Sequence, residues 1–205
     1  MSCALVLIDI QNDFCEGGAL AVADANQILP VIKNMIHKFR QENKKVIATL
    51  DWHPANHKSF ASNSHAQVGT VGELNGLTQV WWPDHCIQDT FGAALHSTIA
   101  NEGFDFLVHK GQDPEVDSYS AFFDNGKQHA TTLDNYLKAN DITQLVMMGL
   151  ATDYCVKFSV LDALSLGYQV TVSIDGCRGV NLQVDDSEKA FEQMSQSGAI
   201  LVNSL

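Results

Sequence analysis

The sequence predicts an α/β fold: a doubly wound, mostly parallel six-stranded sheet between helix layers, a three-layer sandwich. Three observations predict it. Six apolar runs of strand length recur along the 205 residues. They are continuous rather than alternating, as in strands covered on both faces. Several of the intervals between them carry helical periodicity, and strands alternating with helices close into right-handed parallel units.

The first run is Ala4 to Ile8. After it, Ile28, Val31, Ile32, Met35 and Phe39 fall on one face of a helix. Val46 to Leu50 is the second strand. The stretch that follows, about 52–89, is rich in His, Asn, Ser and Gly and reads as one long irregular region, which a compact domain seldom keeps without a functional reason. Phe104 to His109 is the third strand. Leu133 and Leu137 mark a short helix, and Gln144 to Leu150 is the fourth strand. Val156 to Leu166 reads as an apolar helix closed by Gly167. Val170 to Ile174 and Ile200 to Val202 complete the sheet, with a helix between them that Asp185 or Asp186 caps and Gly198 ends. With no repeat, linker or low-complexity tract, residues 1–205 read as one domain with a loop region at 52–89.

Composition narrows the function. Asp and Glu outnumber Lys and Arg by 24 to 12, a formal net charge of −12, which argues against nucleic acid or an anionic membrane as partner. The opening "MSCALVLIDI" has no basic residues before a short apolar run that Asp9 interrupts, so it reads as a core strand rather than an export signal. No apolar stretch approaches a membrane span. Cys3, Cys15, Cys86, Cys155 and Cys177 are odd in number and form no CxxC pair, so reduced thiols in a cytoplasm are expected. A homo-oligomer is compatible with the sequence, which specifies none.

In open α/β sheets ligands bind beyond the carboxyl ends of the strands, so the residues closing each strand matter most. The first strand ends at Asp9, the second at Asp51, the third at Lys110, and the fourth in a turn carrying Cys155. Cys155, after "GLATDY", stands at the start of a helix, whose positive end favours thiolate, as would an adjacent Lys110. The same position suits a packed core cysteine. Asp9 closes a hydrocarbon strand, where burial raises and a lysine lowers its pKa, a setting for proton exchange with a thiol. Asp13, in the following turn, is the better candidate for a structural carboxylate bonded to loop amides. Gly111 lets the chain turn sharply after Lys110. "DWH" places Asp51 and His53 two residues apart, and His85 arrives in "WWPDHC". A carboxylate and two imidazoles suit Zn, Fe(II) or Mn(II). His57 is a fourth candidate, whereas His37, His65, His96, His109 and His129 read as surface or packing residues.

The segments "LVLIDIQNDFCEGGAL", "ATLDWHPANHKSF", "WWPDHCIQDTFGA", "LVHKGQD", "DSYSAFFD" and "VMMGLATDYCVKFSVLDALSLGY" resemble, in order and from Leu5 to about Gly179, the nicotinamidase (pyrazinamidase) family of cysteine hydrolases, within the isochorismatase-like, Rossmann-like fold. The resemblance implies a catalytic triad of Asp9, Lys110 and Cys155. It implies one divalent metal ion on Asp51, His53 and His85, zinc ahead of iron or manganese, and leaves His57 open, since that position is a ligand in some relatives only. Phe14 and Trp82 match aromatics that sandwich a pyridine ring, with Tyr119 beside them. A cis bond between Leu150 and Ala151 is implied, with the amides of Ala151 and Cys155 forming an oxyanion hole. The implied small-molecule substrate is nicotinamide, hydrolysed through a thioester to nicotinate and ammonia in NAD salvage, with pyrazinamide as a second amide. The chain departs from some relatives over Ser59 to Leu77, and Tyr154 replaces a histidine that certain members carry. Two other readings stay open: a metal-free isochorismatase-type hydrolase or amidase, and a non-catalytic binding module on the same sheet. No GxGxxG follows the first strand, which disfavours dinucleotide binding.

Overall fold

The computed structural model describes residues 2–203. The chain folds through β1 (Ser2–Ile8), α1 (Leu29–Gln41), β2 (Lys45–Asp51), α2 (Ala61–Ser64), β3 (Val71–Leu74), β4 (Leu77–Val80), α3 (Ser97–Ala100), β5 (Phe106–Lys110), α4 (Leu133–Ala139), β6 (Ile142–Leu150), α5 (Lys157–Ser165), β7 (Gln169–Arg178), α6 (Asp186–Gln196) and β8 (Ile200–Val202). Six of the strands form one sheet in the order β5-β2-β1-β6-β7-β8, and all of its pairs are parallel. The order reverses between β1 and β6, so their carboxyl ends flank the switch-point crevice in which such sheets bind ligands.

The reason β1 sits at the centre is visible in its side chains. Ala4, Leu5, Val6, Leu7 and Ile8 are all fully buried. Successive residues of a strand point to opposite faces, so both faces of β1 are covered. Each large aliphatic side chain buried this way contributes roughly 1.5–3 kcal/mol. Helix α1 packs on β1 and β2, α4 on β6, α5 on β7, and α6 on α5 and β8. Ile28, just before α1, and Ile32, Met35 and Phe39 within it form a buried stripe as the periodicity predicts, joined by Leu29 and Ile36, while Val31, expected on the same face, is only half-buried.

Three expectations need correction. The region 52–89 is not wholly irregular, since β3 and β4 form an antiparallel hairpin. Its turn is Asn75-Gly76, both with positive φ, the backbone that a tight hairpin requires and that Asn-Gly adopts readily. The last helix begins at Asp186 with Asp185 at the N-cap position as expected, but the capping hydrogen bond itself is missing. Asp185 makes no side-chain cap bond and pairs with Lys189 at 2.7 Å, while Asp186 accepts from the Gln183 amide at 2.8 Å. Strand β7 extends to Arg178, four residues beyond the expected end, because it resumes pairing with β6 at Gly149–Cys177 after a register shift. Among the described residues all five cysteines are free, and no helix is long and apolar enough to cross a membrane.

Candidate active site

Four strand ends deliver their polar groups to one buried cluster. Lys110, at the end of β5, is fully buried and reaches across β2 towards β1 and β6. Its Nζ lies 2.9 Å from Asp9 Oδ2, 3.0 Å from Asp51 Oδ1, 3.0 Å from the Ser118 carbonyl and 3.4 Å from Cys155 Sγ. The Asp9 contact is a buried ion pair, and the same carboxylate lies beside the Cys155 thiol. Thr49 of β2 fixes the other side of Asp9. Its hydroxyl accepts from the Asp9 amide at 3.1 Å and donates to Oδ1 at 2.5 Å.

The electrostatics follow from burial and from two acids sharing one ammonium. Burial pushes the Asp9 carboxyl above its ordinary range, against the pull of Lys110. Burial works against the charge on Lys110, but Asp51 and Asp9 outweigh it and hold the ammonium on. The Cys155 thiol is pushed well up by burial first, opposed by Lys110 and reinforced by Asp9 and Asp51. The helix end and Lys110 were expected to favour the thiolate, and burial with two nearby acids outweighs that pull. The lysine acts in the expected direction and loses. Cys155 also lies inside a widened π-helical turn, Thr152–Val156, rather than at the first residue of a regular helix. Ala151 precedes that turn, and the Leu150–Ala151 bond is cis.

Asp51 joins this cluster to a second one. Its Oδ2 lies 3.0 Å from His53 Nε2 and 3.4 Å from His85 Nε2, and the three ligand atoms are within reach of a single ion. Both imidazoles are fixed from behind: His53 Nδ1–H donates to the Gly111 carbonyl and His85 Nδ1–H to the Pro83 carbonyl, each at 2.8 Å. Those bonds set the tautomers and turn each Nε2 lone pair inwards, and His53 Nε2 is buried without a hydrogen-bond partner. An orphaned, inward-facing His53 nitrogen, with His85 Nε2 and a carboxylate beside it, fits a divalent metal ion.

His57 differs. Its Nδ1 accepts from the Ser59 amide at 3.1 Å and lies 2.7 Å from the Ser59 hydroxyl. Burial, then the neighbouring His53, lowers its pKa to about 4. A neutral ring whose Nδ1 is an acceptor carries its hydrogen on Nε2. A second grouping of His53, His57 and Asp117 is also close enough for an ion. There, however, His57 offers an N–H, and Asp117 is already bonded to Gln79 at 2.8 Å and to the Ser118 amide at 2.8 Å.

The supporting loops are held by buried side chains. Gln11, fully buried, brackets the Asp51 backbone: Nε2 donates to the Asp51 carbonyl at 2.7 Å and Oε1 accepts from its amide at 2.8 Å. Asp13 takes the structural role expected of it, accepting from the Cys86 amide at 2.7 Å, next to His85, and from the Ala19 amide at 3.2 Å.

Above Cys155 opens a narrow cavity lined by Phe14, Trp82 and Tyr119, as expected, and also by Leu20, Asp51, His85, Asp117, Ala151, Tyr154 and Val180. The Trp82 indole N–H donates to the Tyr119 hydroxyl at 3.2 Å, and Tyr154 meets Trp82 edge-on at 4.9 Å. Thr49, Gln11, Asp117, Leu20 and Val180 are the site residues that sequence reasoning missed. Thr49 carried a faint signal, a hydroxyl inside the hydrocarbon run "KVIATLD".

A parallel doubly wound sheet with a buried lysine, two carboxylates and a thiol at its switch point defines a class of hydrolytic enzymes. Residues 3–204 match the Isochorismatase domain. The chain is 54% identical over 198 residues to a nicotinamidase of Escherichia coli, covering 97% of this chain and 93% of that protein. Its fold superposes on the Acinetobacter baumanii nicotinamidase/pyrazinamidase with a TM-score of 0.92 at 39% identity, over 98% of this chain and 95% of that one. A pyrazinamidase of Pyrococcus horikoshii, solved in complex with zinc, matches with a TM-score of 0.82 at 31% identity, over 98% and 99% of the two chains. The chain belongs to the isochorismatase family and, within it, to the nicotinamidase/pyrazinamidase group.

Proposed function

We propose that this chain hydrolyses nicotinamide to nicotinate and ammonia, using Cys155 as nucleophile, Asp9 as proton carrier and Lys110 as the charge between them. The observation that carries this is the single buried ammonium of Lys110, within 3.4 Å of both carboxylates and the thiol. The thiol rests protonated and needs a base. Asp9 is the carboxylate beside it, with its basicity raised by burial.

The steps balance. Asp9 takes the S–H proton while sulfur attacks the carboxamide carbon. The oxyanion that forms lies against the amides of Ala151 and Cys155; one such donor is typically worth about 3 kcal/mol of barrier. Asp9 returns the proton to nitrogen, the C–N bond breaks, and ammonia leaves a thioester on Cys155. Water then adds to the thioester, Asp9 taking its proton and returning it to the departing sulfur, and nicotinate is released. Phe14, Trp82 and Tyr119 wall the pyridine ring. Asp51, His53 and His85 would hold a divalent ion, zinc before iron or manganese, which would supply a Lewis acid to anchor the ring nitrogen. His57, its Nδ1 held by Ser59, is left outside that set. Pyrazinamide, with a ring nitrogen in the matching place, is the expected second substrate, and NAD salvage in the cytoplasm is the setting.

Ammonia release from nicotinamide, before and after chelation and metal add-back, tests the reading. Activity that leaves and returns with the metal supports it. Cys155→Ala should abolish turnover while keeping the fold and the metal content; retained turnover refutes the nucleophile. Activity unaffected by thorough chelation would favour the metal-free hydrolase instead.

A further inference from the structure

The turn that carries the nucleophile carries a second carboxylate that the chemistry above does not use. Asp153 is buried, at 3% exposure, and points away from the cavity towards the loop joining β7 to α6. Its Oδ1 accepts from the Val180 amide at 2.9 Å and its Oδ2 from the Asn181 amide at 2.8 Å. Two consecutive backbone N–H groups on one carboxylate form a two-point, charge-assisted clasp. The clasp has no slack. A Cβ on Gly179 would stand 2.0 Å from Ser187 Oγ and 3.0 Å from Asp153 Oδ1. Asn181, at φ +53°, is tied to the first turn of α6 by its Oδ1 accepting from the Ser187 amide at 2.9 Å. Between the two clasped amides sits Val180, whose side chain lines the cavity with Cys155, Ala151 and Leu20.

We propose that Asp153 is a positioning residue that sets substrate specificity by locking Val180 as one wall of the cavity at a fixed offset from Cys155. One rigid turn thus presents the thiol on one side and spaces the facing wall on the other, so the gap between nucleophile and wall is fixed by a single element. The ligand class this gap selects is a flat, unsubstituted heteroaromatic amide. Added ring substituents are excluded by Val180. For the substrate itself this inference rests on the nicotinamidase reading; for the wall it does not.

Two variants test it. Asp153→Asn keeps the shape but sets an amide N–H against one of the two backbone N–H groups, so one clasp bond is lost. Val180→Ala removes the wall and leaves the clasp. Both should raise KM for nicotinamide by about tenfold with kcat changed less than about threefold, the pattern of lost positioning rather than lost chemistry. Both should also narrow the preference for nicotinamide over 5-methylnicotinamide by about tenfold, the range one methyl group commands in a pocket. Independently of substrate, the rate of Cys155 alkylation by N-phenylmaleimide relative to iodoacetamide, read by mass spectrometry, should rise at least fivefold. A fall in kcat and iodoacetamide reactivity together would mean that Asp153 acts on the nucleophile turn, and would overturn the proposal. Unchanged discrimination and unchanged alkylation ratio would overturn it as well. Should Asp153→Asn fail to fold, Val180→Ala decides by the same readouts. A protein inactive on nicotinamide whose alkylation ratio still shifts would refute the substrate and keep the wall.

Discussion

Replacing Gly111 by alanine perturbs the proposed metal set without substituting a ligand. Gly111 follows Lys110 at φ +69°, and its carbonyl holds His53 Nδ1–H at 2.8 Å. An added Cβ would stand 2.4 Å from His53 Cε1, 2.7 Å from His53 Nδ1 and 3.1 Å from Asp51 Oδ1. Carbon atoms pack at about 3.5 Å or more, so the imidazole or the backbone must move by about 1 Å. Metal–ligand distances tolerate only about 0.2 Å, and the left-handed backbone itself costs about 1–2 kcal/mol for a residue with a Cβ. Disturbing the group behind a ligating histidine typically lowers metal affinity about 10–100-fold. The expected result for Gly111→Ala is a loss of that size, measured by competition with a chromophoric chelator, with most of kcat restored at saturating metal. An affinity within threefold of the wild type would refute the placement of His53 as a ligand oriented through Gly111.

Two further outcomes follow from the buried charges. Lys110→Met leaves Asp9 and Asp51 buried without their cation and should lower the urea unfolding free energy by about 3–5 kcal/mol at neutral pH. The deficit should shrink as acid neutralises Asp9, whose folded-state pKa is already raised by burial; a loss under 1 kcal/mol would show that the ammonium is not the buried partner of both acids. His57 titrates at about 4 in the folded chain against 6.5 ordinarily. Because the unfolded chain binds this proton first, its neutral burial stabilises the fold above pH 6.5, and that contribution is lost as pH falls towards 4. The loss is about 3 kcal/mol at most. Metal-free His57→Asn should therefore show a flatter fall in stability across that window than wild type, and parallel curves would contradict the depressed pKa.

The adjacency of the candidate residues was legible because a parallel sheet sends every strand end to one edge, so Asp9, Asp51, Lys110 and the Cys155 turn come together without any knowledge of loops. What lateral register decides was not legible. Thr49 serves Asp9 only because Leu7 pairs with Ala48 across β1 and β2, which sets Thr49 beside Ile8 and brings its hydroxyl to the amide and carboxylate of Asp9, the next residue. Gln11 and Asp153 look like ordinary polar residues flanking strands, and their partners lie 40 and 27 residues away. The hairpin of β3 and β4 did carry a local signal, Asn75-Gly76 between apolar residues, but the polar composition around it read as loop. The net balance at Cys155 was not legible for a different reason. Sequence shows that a lysine is near, not that a second acid shares it in full burial.

That sharing ties the metal set to the thiol. Asp51 turns one oxygen to Lys110 and the other to His53 and His85, and its pKa is held well below the ordinary carboxylate range by His53 and Lys110, which outweigh its burial. With Asp9 and Asp51 ionised and Lys110 protonated, the buried cluster carries one net negative charge, which opposes a thiolate at Cys155. A divalent ion held by Asp51, His53 and His85 would offset that charge, and Coulomb energies in a poorly solvated site are several times those in water. Because Asp51 offers one oxygen to Lys110 and the other to the two histidines, a change of charge on the histidine side would be felt at Cys155 through the one ammonium that Asp9, Asp51 and the thiol share.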